Sequence, residues 1–120
     1  MKIAWLLGWA VPEAWFAPLA QKAFSNAEHV FIAATSAALE RLHAAAPFDQ
    51  IVGYSLGAHL LLTSSAPFPH VALLAPFFAF SAEEKFGGRV ARGQLRYLAR
   101  WLRSDPAAAL ADFYFRSGLD

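Results

Sequence analysis

Short apolar segments alternate with helical stretches along this chain, and this pattern limits its fold more than any other feature. Four segments read as buried strands, each closed by a breaker: Lys2–Leu7, Glu28–Ala34, Gln50–Tyr54 and His70–Ala75. Helices are predicted between them, from Pro12 to about Phe24, from Thr35 to Ala46, and from Leu56 to about Ser65 before Pro67. Strict alternation favours right-handed crossovers between parallel strands. We therefore predict an α/β fold, a compact parallel sheet of about four strands with helices on both faces.

The pattern changes after Pro76. An aromatic run at residues 77–80 leads into a largely helical tail in which no further strand is evident. We expect residues 1–76 to form the α/β core and residues 77–120 to form a helical lid segment of the same domain. Ligands of open α/β folds bind at the carboxyl edge of the sheet, which is where such a lid would lie.

Composition limits the chemistry and the cellular location that we expect for this chain. The chain has 120 residues, enough for one domain, and no uninterrupted apolar run of membrane-spanning length. The apolar stretch after Met1 and Lys2 is too short for a signal peptide, so a cytoplasmic protein without membrane contact is expected. The absence of cysteine excludes disulfides, thiolate metal sites and a cysteine nucleophile. Oxygen nucleophiles remain, and we expect neither a metal nor a cofactor.

The main chemical signal is the sequence Gly-Tyr-Ser-Leu-Gly at residues 53–57. It stands where a predicted strand ends and a helix begins, which is the setting of a nucleophile elbow. There, Ser55 sits on a tight turn, and side chains at Gly53 or Gly57 would collide with the neighbouring strand and helix. We predict that Ser55 is a nucleophile. The alternative interpretation is an ordinary turn in which Ser55 caps the helix.

An ester hydrolase also needs backbone N–H groups directed at the oxyanion. The residue after the nucleophile, Leu56, would supply one. Trp9 is the candidate for the second, because residues 7–10 follow the first strand at the same edge of the sheet as Ser55. The alternative is that this apolar Gly-Trp turn packs against the lid.

Three segments resemble the α/β-hydrolases, and among them the pimeloyl-carrier-protein methyl ester esterases of biotin synthesis. Residues 7–10, Leu-Gly-Trp-Ala, resemble that family's His-Gly-Trp-Gly oxyanion loop; residues 53–57 resemble its elbow. Residues 80–88, Phe-Ser-Ala-Glu-Glu-Lys-Phe-Gly-Gly, are similar to the start of its helical lid. Leu7 and Ala10 depart from the family's histidine and second glycine. The resemblance implies hydrolysis of a carrier-bound acyl methyl ester.

In that family an aspartate and a histidine follow the lid on later strands, and this sequence reaches Asp120 without a counterpart of either. Topology places three histidines at the opposite edge of the sheet from Ser55: His29, His43 and His70. His59 lies one helical turn after Ser55, but its Cβ follows the helix and does not point over the elbow. The carboxylates that could lie near the lid have no motif context: Glu13, Glu83, Glu84, Asp112 and Asp120. No triad can be assembled from the sequence.

Arginines form a stripe in the tail. On a helix over residues 89–103 they fall within an arc of roughly 80°: Arg89, Arg92, Arg96, Arg100 and Arg103. A guanidinium fork binds carboxylate or phosphate bidentately. The family resemblance implies that the stripe contacts an acyl carrier protein; the alternative is a solvated amphipathic helix. Nucleic acid is disfavoured, because the net charge is only +1 and no nucleic-acid-binding motif occurs.

The sequence therefore favours a serine carboxylic-ester hydrolase acting on a small-molecule or carrier-bound ester. Two alternatives stay open: a catalytically incomplete binding module with the same fold, and an acyl-carrier interaction protein. Open sheet edges also make a homo-oligomer an expectation.

Overall fold

The computed structural model describes residues 1–65 and 68–119. The strands and helices follow in the order β1 (Lys2–Leu6), α1 (Glu13–Ala23), β2 (Glu28–Ile32), α2 (Ala38–Ala45), β3 (Gln50–Tyr54), α3 (Leu56–Leu62), β4 (Val71–Leu74), α4 (Arg92–Ser104) and α5 (Pro106–Ser117). The predicted α/β fold is confirmed. Helix α3 ends three residues before the predicted Ser65, and Pro67, its predicted stop, lies outside the described residues.

The chain divides into two compact units, Met1–Phe78 and Ala79–Asp120. All strands of the first unit are parallel and lie in the order β2-β1-β3-β4. From β1 the chain moves to β2 on one side and then crosses to β3 on the other. The strand order therefore reverses between β1 and β3, and the carboxyl ends of these two strands flank the crevice where such sheets bind ligands.

Helices cover both faces of this sheet, as predicted. Successive side chains of a strand point to opposite faces, so β1 contributes to two separate apolar clusters. Ala4 and Leu6 pack with buried residues of α2 and α3 on one face. Ile3 and Trp5 pack with Ala20 of α1 on the other. The central strand is thus buried on both sides and forms a rigid base for the residues that follow it.

A polar link crosses the second of these clusters. The indole Nε1 of Trp5, which is 5% exposed, donates to Nδ1 of His29 at 2.9 Å. Because indole N–H is only a donor, Nδ1 must be the acceptor, and the ring proton sits on Nε2. Nε2 lies 3.0 Å from the Phe24 carbonyl oxygen and donates to it. His29 is therefore a structural histidine that joins β1, β2 and the end of α1.

The second unit begins with a closed loop. Ser81 pairs with Val90 in an isolated parallel bridge. The Glu83 carboxylate accepts from the Ser81 hydroxyl at 2.6 Å and from the Arg92 amide at 3.1 Å, at the first residue of α4. These two bonds hold the pKa of Glu83 below its ordinary value, and the bond from the Ser81 hydroxyl has the larger effect. Helices α4 and α5 pack together after this loop.

Replacing His29 by Phe should lower the free energy of unfolding by about 1–3 kcal/mol, because a buried indole N–H loses its acceptor. Chemical denaturation measures the loss. His43→Phe is the matched control: the His43 ring stacks on Phe68 with centroids 4.5 Å apart, and a phenyl ring keeps that contact. Equal losses in the two variants would contradict the structural role of His29.

Candidate active site

Ser55 stands alone between a strand and a helix, since β3 ends at Tyr54 and α3 begins at Leu56. Its backbone angles are φ 52° and ψ −111°, in a region that residues with a side chain rarely adopt. Such a conformation costs on the order of 1–3 kcal/mol and persists only where the surrounding structure imposes it. The strained strand-turn-helix arrangement is the local geometry of a nucleophile elbow.

The two flanking glycines allow this turn. A Cβ on Gly53 would lie 2.8 Å from the Cα of Ala58 and 2.7 Å from a methyl of Leu61. A Cβ on Gly57 would collide with the carbonyl oxygen of Leu6 at the end of β1. The first glycine lets α3 fold back against its own strand, and the second lets α3 approach the neighbouring strand.

Ser55 occupies the N-cap position of α3, but its side chain makes no capping hydrogen bond, so the alternative in which its hydroxyl caps the helix is wrong. Ser55 is half-buried, and within residues 1–65 and 68–119 its hydroxyl makes no hydrogen bond. The amide of Leu56 belongs to the first turn of α3, where no helical carbonyl is available to accept it. The Ser55 hydroxyl and the Leu56 amide thus belong to the same turn, as the prediction of a nucleophile and one oxyanion donor requires.

The loop that carries Trp9 adjoins the elbow. The Val11 amide donates to the Gly8 carbonyl at 3.3 Å. Ala10 has φ 55° and the φ of Trp9 is not positive, so residues 8–11 form a type II turn. A Cβ on Gly8 would lie 3.1 Å from the Tyr54 ring. The segments after β1 and β3 thus meet at the switch point. The third position of a type II turn favours glycine, and here alanine occupies it.

The histidines at the opposite edge are where the sequence places them. His29 pairs with Ile3 at the amino end of the sheet, and His70 directly precedes β4. His43 lies in the last turn of α2. His59 is in α3, but its Nδ1 lies 2.8 Å from the carbonyl oxygen of Phe77. Reasoning from the sequence did not select Phe77. The only sequence signal of this residue is that it begins an apolar run three residues after the end of β4.

Three of the five acidic candidates form bonds within the second unit. Glu83 and Glu84 accept backbone amides in the loop before α4, and Asp112 pairs with Arg116 at 2.8 Å. Glu13 begins α1, and Asp120 lies outside the described residues. Among the described residues no carboxylate or imidazole bonds to the Ser55 hydroxyl, and none form a metal-binding group.

Four of the five arginines of the predicted stripe lie on α4. The helix begins at Arg92, not at residue 89, so Arg89 precedes it and the predicted helix start is corrected. The loop closed by Ser81 and Val90 takes up residue 89, and Glu83 sets the helix start through the Arg92 amide. The arginines of the stripe are all exposed, and in the described part of the chain only Arg116, outside it, forms an ion pair.

Beside the stripe, α4 carries a shallow groove of about 220 Å³, lined by Tyr97, Arg100, Trp101 and Ser104. The two aromatic rings are tilted with centroids 5.9 Å apart, and Tyr97 is 58% exposed. The groove therefore offers a guanidinium next to an aromatic surface.

Fold and site together define a parallel α/β protein with a strained serine at the strand-reversal point of its sheet. No family model, no curated protein and no solved structure matches the chain. Within the described ranges, no helix combines the length and apolar character needed to cross a membrane.

Gly57→Ala should lower the free energy of unfolding by about 3 kcal/mol or more, because the new methyl group meets backbone that cannot move aside. Gly93 in α4 has open space where a Cβ would be, so Gly93→Ala should change stability little or raise it by up to about 1 kcal/mol. Thermal unfolding of both variants measures the contrast. A Gly57→Ala protein as stable as the parent would refute the close approach of α3 to β1.

Proposed function

We propose that the protein is a serine carboxylic-ester hydrolase with Ser55 as its nucleophile. The observation that carries the proposal is the conformation of Ser55: positive φ between strand and helix, with a hydroxyl that does not cap the helix. Strain of this kind concentrates at functional sites, where the surrounding structure maintains it. A turn needed only for chain reversal would be served by glycine.

In the proposed reaction the Ser55 oxygen attacks the ester carbonyl carbon while a base accepts its proton. The carbonyl oxygen becomes an oxyanion, to which the Leu56 amide and the loop of Trp9 donate hydrogen bonds. The C–O bond to the alcohol then breaks, the alcohol leaves with a proton, and water later cleaves the acyl-serine. The described residues place no base at Ser55, so the proposal requires that acid and base come from residues outside this set or from a second copy of the chain in solution.

The α4 surface supports a carrier-bound acyl ester, such as the methyl ester of biotin synthesis, as the substrate. Arg96, Arg100 and Arg103 are exposed and hold no carboxylate within ion-pair distance in the described chain. An acidic carrier protein and its phosphate-linked arm have the charge that such a surface attracts. The second candidate function, binding of an acyl carrier without hydrolysis, is favoured by the absence of a bonded base at Ser55 among the described residues.

Treatment with a fluorophosphonate should add one mass increment to the intact protein, and Ser55→Ala should abolish it, because only an activated serine is phosphonylated. Intact-mass spectrometry measures the adduct. The parent protein should also hydrolyse short p-nitrophenyl esters, and Ser55→Ala should lose this turnover. Ser36→Ala removes an exposed serine and serves as control. No adduct on the parent protein would reject hydrolysis and favour binding alone; equal adducts on parent and Ser55→Ala would reject Ser55.

The double substitution Arg96→Glu plus Arg100→Glu should weaken binding of an acidic acyl carrier protein by on the order of tenfold or more, through loss of attraction and added repulsion. Titration calorimetry at low and high salt measures the effect. Lys22→Glu plus Arg41→Glu makes the same charge change on exposed residues of the first unit and should leave affinity almost unchanged. Equal weakening by both pairs would mean that net charge, and not the stripe, governs binding.

A further inference from the structure

Three hydrogen bonds connect Ser55 to the end of β4 and to the segment that follows it. The Ser55 amide donates to the Leu74 carbonyl at 2.9 Å, and the Ser55 carbonyl accepts from the His59 amide at 3.0 Å. The Nδ1 atom of His59 lies 2.8 Å from the Phe77 carbonyl oxygen. Only two residues separate Leu74 from Phe77. The nucleophile, the first turn of α3 and this segment therefore form a closed ring of contacts inside the first unit.

The His59 ring holds Phe77 in two ways. A carbonyl oxygen can only accept, so Nδ1 of His59 carries a proton and donates it, which makes neutral His59 the Nδ1–H tautomer. The imidazole also lies parallel to the Phe77 ring, with centroids 4.7 Å apart and planes 5° apart. The hydrogen bond fixes the backbone of Phe77, and the stacking fixes its side chain.

The segment between the two anchors is strained. Ala75 has φ 49°, a left-handed conformation that costs a residue with a side chain about 1–2 kcal/mol. Leu74 is held on one side by pairing with Tyr54, and Phe77 is held on the other side by His59. A strained residue between two fixed points indicates that the course of this segment is imposed by its anchors.

We propose that His59 is a positioning residue, which holds Phe77 as an apolar wall of the acyl site beside Ser55, across from the loop of Trp9. The inference rests on the proposed ester hydrolase function and extends it to substrate recognition: the wall suits an ester whose acyl chain is apolar near the carbonyl. His59 touches no reacting atom in this role. It acts through Phe77 and is not the general base.

Three substitutions separate this role from a general loss of stability. His59→Leu removes the donor and keeps apolar bulk. His59→Asn places an amide N–H near the position of Nδ1, whereas His59→Gln places it near the position of Nε2. We expect His59→Leu and His59→Gln to slow fluorophosphonate labelling of Ser55 by on the order of tenfold to a hundredfold. His59→Asn keeps the hydrogen bond to Phe77 and loses the ring stacking, so it should restore part of the parent rate, and thermal unfolding should confirm that all variants are folded.

The outcomes distinguish the two proposals. Equal labelling rates for the parent and His59→Leu would overturn the positioning role while leaving Ser55 as the nucleophile. Rescue by His59→Gln and not by His59→Asn would overturn it as well. An unlabelled parent protein would reject the hydrolase function and this role together. Long-range ¹⁵N spectra of the unsubstituted protein need no variant: the Nδ1–H tautomer supports the contact, and the Nε2–H tautomer overturns it.

Discussion

The close approach of α3 to the end of β1 is the constraint on which the site depends. Gly57 has no side chain, and the carbonyl of Leu6 occupies the space that a Cβ would need. Only one residue is then left to turn the chain from β3 into α3, and it adopts the strained conformation of Ser55. The strain at Ser55 is therefore a result of this close packing.

The sheet gives the turn at Ser55 and the Trp9 loop rigid starting points. β1 is buried by helices on both faces, and β3 pairs with it on the side away from β2. The edge strand β4 is different, because Val71 and Leu74 are substantially exposed. Loops that follow the two central strands therefore begin from fixed points, and the Trp9 loop and the elbow meet without help from the edge. The segment after β4 needs an additional anchor, and His59 is the residue that reaches it.

Ser55 and the exposed arginines of α4 lie in different units. The glycines that flank Ser55 adjoin atoms of Leu6, Ala58 and Leu61 in the first unit, whereas the second unit carries the exposed arginines of α4. Within the second unit the carboxylates of Glu83 and Glu84 are bonded to backbone amides. They order the loop before α4 instead of neutralising its arginines. Ser55 and the arginines can therefore be substituted separately, without a change in the other unit.

The sequence by itself determined the strands, their parallel arrangement and the glycine-flanked serine, because period, breakers and side-chain size are local properties. It placed the helix start at residue 89, since helical spacing of arginines cannot reveal that Glu83 binds the Arg92 amide. Only the tertiary structure decided that Ser55 does not cap α3, that Ala10 adopts a glycine-like conformation and that His59 holds Phe77. Each of these features depends either on atoms distant in sequence or on a backbone angle set by packing. A local sequence pattern contains neither kind of information.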